Sequence, residues 1–403
     1  MQKDLKSQFI PGKSRVKYGG AVIDKKEIRA IEKVLKRNWW MIDEETKKFE
    51  EELAKSSGVK YSLFVNSGSS ALLLAISSLQ LPKGSEVIIP AVNFPTVVNA
   101  VLLNDLVPVF VDVSLENLCI DFKKAEKAVT SKTKAIVVVD IAGNTSNLES
   151  LKFFKNKNIK TVLDNCDGYG TRYKRKPIET FFDISATSFH VAHIITTGEG
   201  GAIFTNDKNL YERSVSMREW GRSGNSDKFF PKNSGLPVDY PARYTYITRG
   251  FNLKPIELQA AMGRVQLKKL ASIRKKRSIN YKRLAEGFRK RNFPAIVSKP
   301  PTNSEISWFS FPFTLKKEHL RPKLRSFLES KNIETRVIFS GNIVRQPAYK
   351  NGDCKIGSTL ENADYVLENS LFISAHPSLT PQMITYVLNS LETFFKLADQ
   401  KKN

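Results

Sequence analysis

The first 300 residues alternate short apolar runs with longer amphipathic stretches, and few architectures accept that rhythm. The runs are SLFVNS (62–67), EVIIP (86–90), VPVFVDV (107–113), AIVVVD (135–140), KTVLDN (160–165), DISATSF (183–189) and GAIFTN (201–206). Each is rich in Val, Ile or other apolar residues, and most end in small or polar ones, as strands buried on both faces do. Between several of them lie helix-like stretches: Ser69–Leu79, Phe94–Leu103 and Leu148–Asn156. Strands alternating with helices predict a mainly parallel sheet with helices on both faces. Ligands of such sheets gather at the carboxyl ends of the strands, so the residues there carry most of the functional information.

Beyond the last run the pattern changes. Residues 221–247 have little periodicity and several Gly and Pro, which predicts a long functional loop. A helix follows near Pro255, with Pro in its first turn. It leads to strand candidates WFSFPFTL (308–315) and TRVIF (335–339) and a last helix over 380–398. The expected organisation is a large α/β domain over 1–275, with a three-layer, mainly parallel sheet, and a smaller α+β domain over 276–403. A chain of 403 residues is long enough for both.

Composition excludes several classes. No apolar run reaches 18 residues, so no membrane span is expected, and the opening stretch has no apolar core of a signal peptide. Cys119, Cys166 and Cys354 are far apart in sequence; no disulfide framework is expected, and a reduced, cytoplasmic chain is the default. The net charge of +24 fits either a polyanion-binding surface or solvated helix faces. The densest basic stretch, Arg274–Arg277 and on to Arg291, also carries Leu270, Ile273, Tyr281, Leu284 and Phe288 near helical spacing. It therefore reads as the wet side of an amphipathic helix, and no nucleic acid is expected as a partner.

Four groups of residues at strand ends could carry chemistry. NSGSS (66–70) closes one strand and opens a helix, a place where backbone N–H groups and hydroxyls receive an anion, although a plain turn looks the same. Asp164 ends KTVLDN, with Asp167 three residues on. A carboxylate there needs a positive partner, such as a protonated pyridine nitrogen, or it caps a helix. Phe94 in PAVNFPT could stack on a flat ring or belong to the core. Ser188, His190 and His193 flank the turn GEGG, and no lysine occurs between Lys176 and Lys208 in this lysine-rich chain. His190 reads as a packing residue and His193 as a general base. No cysteine or ordered carboxylate set accompanies the histidines, so no metal is expected.

In this order, NSGSS, PAVNFPT, VPVFVDV, LDNCDGYG, SFHVAHIITTGEGGAIFTND and RGFNLKPIELQAAMG resemble the pyridoxal-phosphate sugar aminotransferase family of aspartate aminotransferase fold type I. The likeness is strongest to its nucleotide-sugar 3-dehydrase and 3-dehydratase branch, which carries His in place of the Schiff-base Lys. FIPGKSRVKYGG, ISWFSFPFTL and FSGNIVRQPAY add to it. The resemblance implies that Ser69, Ser70 and Ser188 hold the cofactor phosphate. Asp164 would pair with the pyridine nitrogen, Asp167 would sit near the ring hydroxyl, and Phe94 would stack on the ring. Asn252 would reach the phosphate held by a neighbouring subunit, which implies a homodimer with shared sites. His193 would be the base, and Arg345, Gln346 and His376 would contact substrate or its loops. The implied cofactor is pyridoxal or pyridoxamine 5′-phosphate. The implied substrate is a nucleotide-diphosphate-linked 4-keto-6-deoxyhexose, which loses its 3-hydroxyl, with an amino acid such as glutamate restoring the amine. Such chemistry belongs to deoxysugar and lipopolysaccharide biosynthesis. Amino transfer and a catalytically silent relative of the same fold are the competing readings.

Two departures from that branch matter. Members that draw on an electron-transfer partner carry four cysteines for an iron–sulfur cluster, several just after REWGR. Here REWGR runs into SGNSDKFF, so no cluster is expected. WWMIDEETKKFE (39–50) also lacks the usual Gly, which predicts a different substrate entrance.

Overall fold

A computed structural model describes residues 9–223, 235–237, 240–350 and 354–400. The seven predicted runs form strands β1 (Tyr61–Val65), β2 (Glu86–Pro90), β3 (Val107–Val111), β4 (Thr133–Val139), β5 (Lys160–Asp164), β6 (Ile184–Ser188) and β7 (Gly201–Thr205). They make one sheet in the order β1-β7-β6-β5-β4-β2-β3. Strands β6, β5, β4, β2 and β3 are parallel, and β7 is antiparallel to both of its neighbours. The loop expected over 221–247 lies partly outside the described residues, at 224–234 and 238–239.

The layers follow from side-chain alternation. Val87 and Ile89 of β2, Ala135 and Val137 of β4, and Val162 of β5 enter one core with Phe49, Phe64 and Phe189. Their neighbours Ile88, Ile136, Val138 and Leu163 enter a second core with Phe122 and Phe154 on the other face. Both faces of these strands are therefore dry, which is why they read as continuous apolar runs and not as alternating ones. The result is the expected three-layer, mainly parallel sheet.

The helix Glu257–Lys290 is 34 residues long and crosses the expected domain limit at 275. Its first half packs on the helix Glu44–Ser57, and so closely that a Cβ on Gly263 would lie 2.4 Å from the Phe49 ring. Its second half puts Tyr281, Leu284 and Phe288 into a third core, shared with Phe311, Phe313, Leu391 and, from the far end of the chain, Phe9 and Val16. That core rests on an antiparallel sheet of Ala295–Val297, Ser310–Leu315 and Ser370–Ser374.

Two expectations need correction. TRVIF (335–339) is not a strand. Only Arg336 pairs, in a single bridge to Phe372. The Glu329 carboxylate takes the N–H (2.9 Å) and hydroxyl (3.0 Å) of Thr335, and Phe339 adopts φ +46°, so the segment cannot stay extended. The basic stretch at 274–277 is not solvated throughout either: Arg277 is 1 % exposed and donates from Nη1 to the Phe309 carbonyl.

Candidate functional site

A cavity of about 480 Å³ opens at the carboxyl ends of β4, β5 and β6, within the range of small-ligand pockets. Ser69, Phe94, Asp164, Asp167, Ser188 and His193 all line it. No lysine is among the described lining residues; the one long-chain cation there is Arg336.

Its floor is built by the turn before the helix Gly68–Ser78. Ser67 caps that helix, its hydroxyl accepting from the Ser70 N–H (3.1 Å). The Ser70 hydroxyl donates to Asn66 Oδ1 (2.6 Å), so it builds the turn and does not line the cavity. A Cβ on Gly68 would lie 2.5 Å from Ser188 Cβ. Glycine thus lets β6 and the helix N-terminus meet, leaving Ser69 and Ser188 beside free helix N–H groups, a ready anion site.

The far wall is acidic and buried. Asp164 is 4 % exposed, and no cation pairs with it among the described residues; its Oδ1 accepts the Cys166 N–H (3.1 Å), and the Cys166 thiol lies beside the carboxylate. Burial raises its pKa. Burial, and then the charge of Asp164, pushes Asp167 up to about 8, while its Oδ2 accepts the Ala142 N–H (3.0 Å). Asp140, on the neighbouring strand end, has both carboxylate oxygens buried without a partner. Carboxylates so placed strongly favour a cationic ligand group. Phe94, at the mouth, is 52 % exposed, an apolar face left open to a flat ring.

His193 sits beside Asp167, with 18 % of its side chain exposed. Nε2 is 3.6 Å from Asp167 Oδ1, and Nδ1 is buried without a partner. Burial first, then the neighbouring His190 and Arg277, pull its pKa down to about 3. The ring is therefore neutral near neutrality and free to accept a proton. His190, expected to be a packing residue, also lines the cavity, its Nε2 3.8 Å from Glu199 Oε1.

The other predicted site residues lie elsewhere. Arg345 is committed to Asp364 through Nε (2.8 Å) and Nη2 (2.6 Å), and Gln346 donates to the Ser340 carbonyl (3.0 Å). His376 is buried, its ring nitrogens held by Ser378 Oγ (2.7 Å) and the Gly20 carbonyl (2.9 Å). Asn252 is exposed beside Trp220 and accepts from Lys254 (2.6 Å). Sequence reasoning missed Tyr18, Phe309, Arg336 and Phe339, which line the cavity from the N-terminal segment and from residues beyond the long helix. The motifs KYGG and ISWFSFPFTL contain two of them, so the signal was present without a role attached to it.

Residues 21–392 match the DegT/DnrJ/EryC1/StrS aminotransferase family. The chain is 36% identical to the lipopolysaccharide biosynthesis protein RfbH of Salmonella typhimurium, over 96% of this chain and 94% of that protein. It is equally similar, at 36%, to the dTDP-4-dehydro-2,6-dideoxy-D-glucose 3-dehydratase of Saccharopolyspora spinosa, over 96% of this chain and 88% of that one. Among solved structures it superposes on the E. coli GDP-4-keto-6-deoxy-D-mannose-3-dehydratase with bound hydrated PLP, with TM-score 0.87 and 31% identity over 94% of this chain and 100% of the other. The anion cradle, the acidic wall and the open aromatic face suit pyridoxal phosphate, in its aldehyde or amine form, and this is the cofactor. A pyridoxal-phosphate enzyme, the chain belongs to the DegT/DnrJ/EryC1/StrS aminotransferase family.

Proposed function

We propose that this protein is a 3-dehydratase of a nucleotide-linked 4-keto-6-deoxyhexose and releases a 3-deoxy-4-keto sugar. The family is named for aminotransferases, so membership alone does not choose between amino transfer and dehydration. The choice rests on one observation: the His193 imidazole lines the cavity, and no lysine is among the described residues that line it.

The residues take these parts. Ser69, Ser188 and the helix N-terminus would hold the phosphate, with Ser70 bracing the turn. Asp164 would pair with the ring nitrogen, Asp167 would serve the ring hydroxyl, and Phe94 would cover a ring face. When bound, the cofactor would supply its pyridine ring as an electron sink for the carbon beside its amine. His193 takes the proton at Nε2, and Asp167 Oδ1, 3.6 Å away, steadies it there. A placed base of this kind contributes on the order of 10²–10⁴-fold.

The overall reaction balances without outside electrons. The oxygen lost from carbon 3 of the sugar matches the oxidation of glutamate to 2-oxoglutarate and ammonia. An iron–sulfur cluster held by four cysteines has no place in a chain with three. With a nucleotide 4-keto-6-deoxyhexose and glutamate, equimolar ammonia and 2-oxoglutarate should appear. An amino sugar without ammonia would instead identify an aminotransferase.

We also propose a homodimer with shared sites. Trp39, Trp40, Trp220, Tyr246 and Phe251 are each more than a third exposed, and backbone bonds join Trp220 to Phe251 and Trp40 to Glu257. Exposed apolar groups so connected mark an interface. Asn252 stands in this face. Mixing inactive His193→Gln and Asn252→Asp proteins should restore part of the activity, because a mixed dimer holds one intact site. No recovery after subunit exchange would confine each site to one chain.

A further inference from the structure

Arg277 is the largest fully buried side chain of the described residues, and only one of its nitrogens has a partner. Nη1 donates to the Phe309 carbonyl (2.5 Å), while Nε and Nη2 are buried and unpaired. A buried cation with unused donors lowers stability, so packing alone does not account for it.

Its contacts lead to the base. The guanidinium lies 5.9 Å from the Phe309 ring, and that ring meets the His193 imidazole edge-on at 5.7 Å and 71°. The Phe309 N–H donates to the Ala142 carbonyl (2.9 Å), and the Ala142 N–H donates to Asp167 Oδ2 (3.0 Å). Asp167 Oδ1 then returns to His193 Nε2 at 3.6 Å. The imidazole is thus framed by Phe309 and Asp167, and both are tied to the same Phe309 backbone that Arg277 grips. Gly143, at φ +86°, allows this approach: a Cβ there would lie 2.2 Å from the Ser307 carbonyl oxygen.

We propose that Arg277 is a positioning residue that, by anchoring Phe309, sets the plane of the His193 imidazole against Asp167. Its charge has two opposed effects: it disfavours protonation of His193, as His190 does, and it favours the Asp167 carboxylate that would steady the proton. The inference rests on His193 being the base.

The test compares Arg277→Met, Phe309→Leu and the double variant as holoenzymes. Each single change should lower kcat by about 10- to 100-fold, with KM for the nucleotide sugar and cofactor affinity within about twofold. The double variant should fall no further than the worse single, because both act through one contact. Additive losses, or losses confined to KM, would overturn the proposal. In apoprotein labelled at its four histidines, the ring signals of His193 should move in both single variants. Unmoved signals in Phe309→Leu would also overturn it, even if Arg277→Met does not fold. If His193→Gln keeps dehydration, the base assignment fails, while these signals still report whether Arg277 and Phe309 hold the ring.

Discussion

Replacing His193 with glutamine should lower dehydration by about 10²–10⁴-fold and leave cofactor affinity close to that of the parent enzyme. Glutamine keeps the bulk and a polar tip but accepts no proton near neutrality. The phosphate contacts proposed at Ser69 and Ser188 and the acidic wall at Asp164 lie on other elements, so binding should persist. The second variant, His193→Lys, is the sharper one. A lysine there should let borohydride fix the cofactor covalently to the protein, which it should not do in the parent, and dehydration should stop. Mass spectrometry and absorbance after reduction read this directly. If the parent protein itself becomes labelled, a lysine outside the described lining reaches the cofactor and the histidine scheme fails. If His193→Gln turns over at the parent rate, another group is the base.

Much of this site was readable in the chain, and the reason is physical. The strands of a sheet covered on both faces are uninterrupted apolar runs, and the residues that end them, Asp164 and Ser188 among them, are the ones the cavity uses. What failed shares a cause: local composition does not say what a segment will meet. TRVIF has a strand's composition, but Glu329 takes the Thr335 backbone, and the segment instead delivers Arg336 and Phe339 to the cavity. Arg345, a few residues on, looked equally suited to a substrate yet meets Asp364. Arg277 was masked by its basic neighbours. Its position does carry a signal, since it stands four residues after Ile273 and four before Tyr281, both buried, in the apolar stripe of its helix. Charge at a core position is what marks it.

Asp164→Asn should weaken cofactor binding while strengthening the empty protein, and few substitutions should act in such opposite senses. In the proposed holoenzyme the carboxylate would face a protonated ring nitrogen from a buried wall. Removing one partner of a buried pair costs roughly 3–5 kcal/mol, so affinity for pyridoxal phosphate should fall on the order of 10²–10³-fold. Without cofactor the balance reverses. The carboxylate is 4 % exposed with no described cation beside it, and burial raises its pKa above that of an unfolded chain. A raised carboxyl contributes stability that is complete below the ordinary carboxylate range and lost as pH rises through the folded-state value. Asparagine has no such dependence. Thermal unfolding of the apoproteins should therefore show Asp164→Asn more stable than the parent at about pH 8, with the gap closing toward about pH 4. Asp167 keeps its own dependence in both proteins and cancels from the comparison, except for the part of its rise that Asp164's charge supplies. Equal unfolding temperatures across this range would mean that the carboxylate is not desolvated in the empty site. An unchanged cofactor affinity would mean that the ring nitrogen is paired elsewhere in the wall, with Asp140, whose oxygens are buried and unpartnered, as the group to replace next.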